Sequence, residues 1–146
     1  MGLEQIIISH SPAETEKAAE EFSRSLSGGE IIAFCGGLGM GKTCFVRGLA
    51  RGLGFSGYVT SPTFALVNEY RGGRLDLIHF DMYRIKNEDD LFSTGYFEYM
   101  SDKSVLAVEW SENISSVFEE DTIYISLLKG ENESDRKIII SRRDQK

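Results

Sequence analysis

The stretch GGLGMGKT, Gly36 to Thr43, constrains this chain more than any other. It fits the pattern G-x-x-x-x-G-K-[ST], and its surroundings fit as well. EIIAFC before it is an apolar run of strand type, and after it Phe45, Val46, Leu49, Ala50 and Leu53 recur at helical spacing from about Gly41 to Leu53, with Gly54 as the stop. A glycine-rich turn between a strand and a helix is a phosphate cradle. The glycines let backbone N–H groups close around the phosphates, and the helix N-terminus adds its partial positive charge. Lys42 can reach the β- and γ-phosphates, and the Thr43 hydroxyl can ligate magnesium. Nucleotide binding is the expectation; the loop alone decides little beyond it.

Around the loop the chain reads as alternating elements. Seven apolar stretches have strand character: Gln5–Ser9, Ile31–Cys35, Ala65–Tyr70, Leu75–Phe80, Val105–Glu109, Thr122–Leu128 and Lys137–Ser141. RGGR (Arg71–Arg74) between the third and fourth is a hairpin turn in type. SPAE (Ser11–Glu14) opens a helix with Ser as N-cap, Pro at the first helical position and Glu three residues after the cap. Thr15, Ala18, Ala19, Phe22 and Leu26 continue it at helical spacing, and Gly28-Gly29 is expected to stop it. One or two short helical turns are expected between Asn87 and Met100. The expected fold is α/β, a three-layer arrangement of the P-loop NTPase kind. Its sheet is mixed, of about seven strands, with helices on both faces and the whole of 1–146 as one domain.

Composition closes several routes. There are 16 Lys plus Arg against 23 Asp plus Glu, a net charge of −7, which argues against binding nucleic acid alone. Acting on nucleic acid through a basic partner stays open. No apolar run approaches the roughly 18 residues of a membrane span, and MGLEQIIIS lacks a signal peptide's basic start, so a cytoplasmic protein without membrane attachment is expected. The two cysteines, Cys35 and Cys44, sit in apolar or helical context and do not suggest a disulfide scaffold. Cys44 is read as a buried, inert thiol, although the first turn of a helix can also activate one.

Two strands end in a carboxylate, LDLIHFD in Asp81 and VLAVE in Glu109, and either can hold a metal or orient water. Glu109 ends the more uniformly apolar run and precedes the only tryptophan, Trp110. His79 reads as a packed or surface strand residue rather than a catalyst, and Tyr83 and Arg84 could equally anchor the following loop. TSPTF (Thr60–Phe64) suits a segment that senses a γ-phosphate and equally suits an ordinary turn. A guanine-specific N-K-x-D stretch is missing, and Asp81 is followed by Met82, Tyr83 and Arg84 rather than by a D-x-x-G switch, so a GTPase is not expected.

GGLGMGKT, SPTFALVNEY, HFDMYR and VEW, in this order and at these spacings, resemble the TsaE (YjeE) family of bacterial ATPases. Members of that family serve the threonylcarbamoyladenosine modification of tRNA. The resemblance covers essentially the whole chain. It implies that Leu38, Gly39, Met40, Gly41, Lys42 and Thr43 hold the phosphates of ATP or ADP, and that Thr43 and Glu109 bind Mg2+. It further implies a carboxylate important for hydrolysis at Asp81, Trp110 beside the nucleotide, Thr15 near the adenosine and TSPTF as a mobile segment. The implied catalytic residues are Lys42, Asp81 and Glu109. Implied partners are a metal-containing threonylcarbamoyl transferase and its paralogue (TsaD- and TsaB-like), with tRNA reached through the complex. The chain departs from the family pattern at Gly37, where an acidic residue is usual, at Met40 for alanine, and at Ser111, which replaces a proline after the tryptophan.

Two other readings compete. A small-molecule kinase would need an acceptor pocket with a lid, for which no residues stand out. A nucleotide-gated binding module would use ATP to set partner affinity, with turnover incidental.

Overall fold

Apolar runs of strand length build the frame. In the computed structural model, which describes residues 3–35, 41–56, 67–82, 85–109, 118 and 121–142, every one of the seven expected strands is present. The order along the chain is β1 (Leu3–Ser9), α1 (Pro12–Ser23), β2 (Ile31–Cys35), α2 (Lys42–Gly52), β3 (Val67–Tyr70) and β4 (Asp76–Asp81). Then follow α3 (Glu88–Ser93), α4 (Tyr96–Tyr99), β5 (Ser104–Glu109), β6 (Ile123–Lys129) and β7 (Arg136–Arg142). Ala65 and Leu66, expected at the start of the third strand, lie outside the described residues.

The strands form one mixed sheet in the order β1-β7-β6-β2-β5-β4-β3. β6, β2, β5 and β4 run parallel in its middle, and the edges are antiparallel: β3 against β4 through the RGGR turn, β7 against β6, and β1 against β7. The parallel strands β2, β4 and β5 are nearly continuous buried runs because helices cover both faces. On one face, Ile32, Phe34, Leu77, Val105 and Ala107 pack with Ala19 of α1 and with Phe45, Val46, Leu49 and Ala50 of α2. On the other, Ile78, Phe80, Leu106 and Val108 pack with Leu91 of α3 and Tyr96 of α4. This is the expected three-layer architecture.

α1 starts where its caps say it should. The Ser11 hydroxyl accepts the Glu14 N–H at 3.1 Å, while the Glu14 carboxylate accepts from the His10 N–H at 3.0 Å, one residue before the cap. It ends earlier than the periodicity predicts, at Ser23 rather than near Gly28. The Ser23 and Ser25 hydroxyls bond back to Glu20 and Phe22 carbonyls, and the chain tightens into turns with Ser25 and Leu26 N–H on Phe22 and Ser23. Arg74 of the distant hairpin then takes the Leu26 and Ser23 carbonyls at 2.8 and 3.0 Å. Leu26 nonetheless reaches the core.

α1 and α2 pack almost backbone to backbone. A Cβ on Gly48 would collide with the Glu16 carbonyl and one on Gly52 with the Ser23 hydroxyl, so glycines one turn apart set the spacing. Arg47 and Arg51 both reach the Glu16 carboxylate across the seam.

Candidate functional site

In open α/β sheets the carboxyl ends of the parallel strands form the edge where ligands bind. Here that edge collects the residues singled out above, as far as they are described. β2 delivers the chain to the phosphate loop, whose Leu38, Gly39 and Met40 lie outside the described residues. The description resumes at Gly41, the N-cap of α2, held at φ 94°, a left-handed conformation that glycine takes without strain. Lys42 is the first residue of the helix, 4% exposed, and Thr43 follows it.

The two long helices differ at their starts in a way that bears on chemistry. α1 supplies its own cap and its own acidic residue, Ser11 and Glu14. α2 has no side-chain cap and no acidic residue in its first turn, so nothing of its own offsets the partial positive charge there. An external anion at Gly41–Thr43 would meet N–H donors and a lysine.

β4 and β5 end side by side, with Asp81 and Glu109 as register partners. Side chains alternate along a strand, so His79 and Asp81 share a face with Leu77, and Glu109 shares one with Val105 and Ala107. That face is the one α2 covers. His79 is fully buried, and its Nε2 lies 2.6 Å from Oε2 of Glu109, whose side chain is 12% exposed. Of the packed and surface positions that the sequence allows for His79, the structure shows the packed one. The sequence reading missed the partner, and the available signal was positional: His79 stands two residues before Asp81, on a strand whose neighbour ends in Glu109.

A pocket of about 170 Å³ opens on the other side of α2's start, lined by Pro12, Thr15, Gly41, Cys44, Glu133, Ser134 and Arg136. Thr15 therefore stands beside the downstream end of the phosphate loop. Its hydroxyl is 2.7 Å from that of Ser9, which donates to the Ser11 carbonyl. The wall formed by Glu133 and Ser134 of the β6–β7 turn and by Arg136 at the start of β7 carried no sequence signal, because no motif includes these residues. Arg136 Nη1 donates to the carbonyls of Glu133 and Asp135, and Asp135 meets His10 Nδ1 at 3.2 Å, which ties that turn to the start of α1. Cys44 is a correction. It is partly exposed on the pocket wall, not buried, because α2 turns Phe45, Val46 and Leu49 into the core and leaves Cys44 on the flank facing α1. Both cysteines are free thiols.

Trp110, Ser111, Tyr83, Arg84, Gly37 and the TSPTF segment lie outside the described residues. Among the described residues no three or more His, Cys, Asp and Glu side chains cluster as a closed metal cage would require. Magnesium does not need one: it takes hard oxygen donors, one or two from protein, with phosphate and water completing the shell. The Thr43 hydroxyl and the Glu109 carboxylate are donors of that kind. Among the described residues no helix is long and apolar enough to cross a membrane.

Known proteins resemble this one across most of its length. Two proteins named tRNA threonylcarbamoyladenosine biosynthesis protein TsaE illustrate it. That of Treponema pallidum is 41% identical over 120 residues, 82% of this chain and 88% of its own. That of Aquifex aeolicus is 43% identical over 114 residues, 77% of this chain and 80% of its own. The crystal structure of Bacillus subtilis YdiB superposes with a TM-score of 0.80 at 28% identity, covering 99% of this chain and 88% of that one. The sequence model of the family described as "Threonylcarbamoyl adenosine biosynthesis protein TsaE" matches residues 9–138. With a family match over most of its length and relatives above 40% identity, the chain belongs to the TsaE family.

Proposed function

We propose that the protein is a magnesium-dependent ATPase of tRNA threonylcarbamoyladenosine biosynthesis, weak alone and working in complex with the transferase that modifies the tRNA. The observation that carries this reading is the meeting, at one sheet edge, of an anion-ready helix start at Gly41–Thr43 with the paired carboxylates Asp81 and Glu109.

In this reading the segment from Leu38 to Thr43 cradles the phosphates, and Lys42 neutralises charge that builds on the transferring phosphoryl group. Thr43 and Glu109 would hold magnesium, which when bound would offset the negative charge of the phosphates. Asp81, next to Glu109 in register, orients the attacking water. Thr15, which lines the pocket beside Cys44, stands near the adenosine, and the family resemblance assigns Trp110 a place beside the nucleotide. The net charge of −7 suits a subunit that leaves tRNA to a threonylcarbamoyl transferase and its paralogue, in the cytoplasm.

The test is reconstitution of the tRNA modification with its partner proteins. Omitting this chain is expected to abolish sustained modification, and supplying Glu109→Ala to cause a large loss of modification and ATP turnover together. Wild-type ATP turnover by Glu109→Ala would overturn the assignment of that residue. Full modification with a non-hydrolysable ATP analogue would favour a nucleotide-gated binding module instead.

A further inference from the structure

We propose that His79 is a positioning residue for Glu109: its Nε2–H holds one carboxylate oxygen and so sets how the other is presented to a divalent cation at the end of β5. This rests on the reading of Glu109 as a magnesium-holding side chain.

The geometry supplies the reason. On the parallel pair β4–β5, His79 is the register partner of Ala107, and Glu109 is two residues further along β5 on the same face. Alanine is small enough to let an imidazole reach diagonally to the carboxylate, and the resulting contact is short, 2.6 Å between Nε2 and Oε2. A carboxylate oxygen that accepts from this ring nitrogen requires the ring proton on Nε2, and a hydrogen bond to a carboxylate is of the stronger kind. Oε1 of Glu109 has no hydrogen-bond partner among the described residues, and with the side chain 12% exposed it remains reachable.

A purely structural role fits less well. A histidine placed only to fill the core would need both ring nitrogens satisfied. His79 is fully buried, and its Nδ1 has no hydrogen-bond partner among the described residues. An apolar side chain of similar volume would avoid that unpaired acceptor. The contact with Glu109 is what the imidazole alone provides here. Partners that orient ligating carboxylates typically change metal affinity about 10- to 100-fold when removed.

The experiment uses the full chain loaded with a non-hydrolysable ATP analogue and titrated with Mn2+, bound ion being counted by electron paramagnetic resonance. His79→Leu is expected to weaken Mn2+ binding about 10-fold or more, with unchanged affinity for the analogue in the absence of divalent cation. His79→Gln, whose amide can still donate to Oε2, should recover part of the loss. Glu109→Gln serves as control. If it loses Mn2+ affinity while His79→Leu keeps it, the positioning role is overturned and the reading of Glu109 stands. If Glu109→Gln also keeps it, both fall. Nitrogen-15 NMR of the wild-type ring needs no stable variant. A ring protonated on Nε2 supports the proposal, and one protonated on Nδ1 alone overturns it.

Discussion

On the face of β4 and β5 that looks toward α2, side chains turn polar as the strands run out. Leu77 is followed by His79 and Asp81, and Val105 and Ala107 by Glu109. On the opposite face the same strands stay apolar to the end: Ile78 and Phe80 on one, Leu106 and Val108 on the other. There Phe80 meets Tyr96 and Tyr99 edge to face, at ring separations of 5.3 and 5.5 Å. One pair of strands thus divides its labour by side-chain parity. Even-numbered residues glue the sheet to α3 and α4, and odd-numbered ones lead from the core to the candidate site. The difference teaches that substitutions one residue apart should fail in separate ways.

The largest effect is expected on the apolar face. Phe80→Ala removes a buried ring and its aromatic contacts, a cost of about 3–5 kcal/mol, read as a lower urea midpoint. The fraction that stays folded should turn over ATP normally, and a lost turnover at unchanged stability would break the division. Next comes Glu109→Ala on the polar face. ATP turnover should fall about 100-fold, near 2.7 kcal/mol of lost transition-state stabilisation, while the urea midpoint drops less than for Phe80→Ala, by the roughly 1–3 kcal/mol of leaving the buried His79 ring unpaired. Gly48→Ala sharpens the comparison from the other side of the site-bearing core. Its methyl would meet the Glu16 backbone and force α1 off α2, costing about 1–3 kcal/mol, measurable by thermal melting.

The smallest effect concerns Tyr96, whose hydroxyl is buried with no hydrogen-bond partner among the described residues. Burial pushes its phenol above the ordinary tyrosine value, so the folded chain keeps a proton that the unfolded chain gives up. Stability is therefore unaffected by this group below about pH 10 and falls as pH rises beyond it. Tyr96→Phe should change stability at neutral pH by less than about 1 kcal/mol and flatten the alkaline decline, seen in urea midpoints from about pH 9 to pH 11.

The sheet was legible because its parallel strands are short, apolar and bounded by turn residues, signals that need no knowledge of neighbours. α1's start was legible for the same reason, since Ser11 and Glu14 act within one turn. Its end was not, because the guanidinium that takes its last carbonyls comes from Arg74, 48 residues beyond Leu26. The candidate site divides along the same line. The phosphate loop is a contiguous motif and could be read directly. The bond between His79 and Glu109 spans 30 residues and exists only through the register of β4 on β5, and the pocket wall of Glu133, Ser134 and Arg136 exists only through the place of the β6–β7 turn.

The pairing of β1 has a consequence for how the chain emerges from synthesis. Among the described residues β1 pairs only with β7, from Leu3 opposite Arg142 to Ser9 opposite Arg136. β1 must therefore wait for β7, with Ile6, Ile7 and Ile8 lacking that partner while the residues between the two strands are translated. Closing so long a loop is an entropically slow step, and an unpaired apolar strand is open to wrong partners meanwhile. The edge that carries the candidate site, built from β2, α2, β4 and β5, can take shape before β7 pairs with β1.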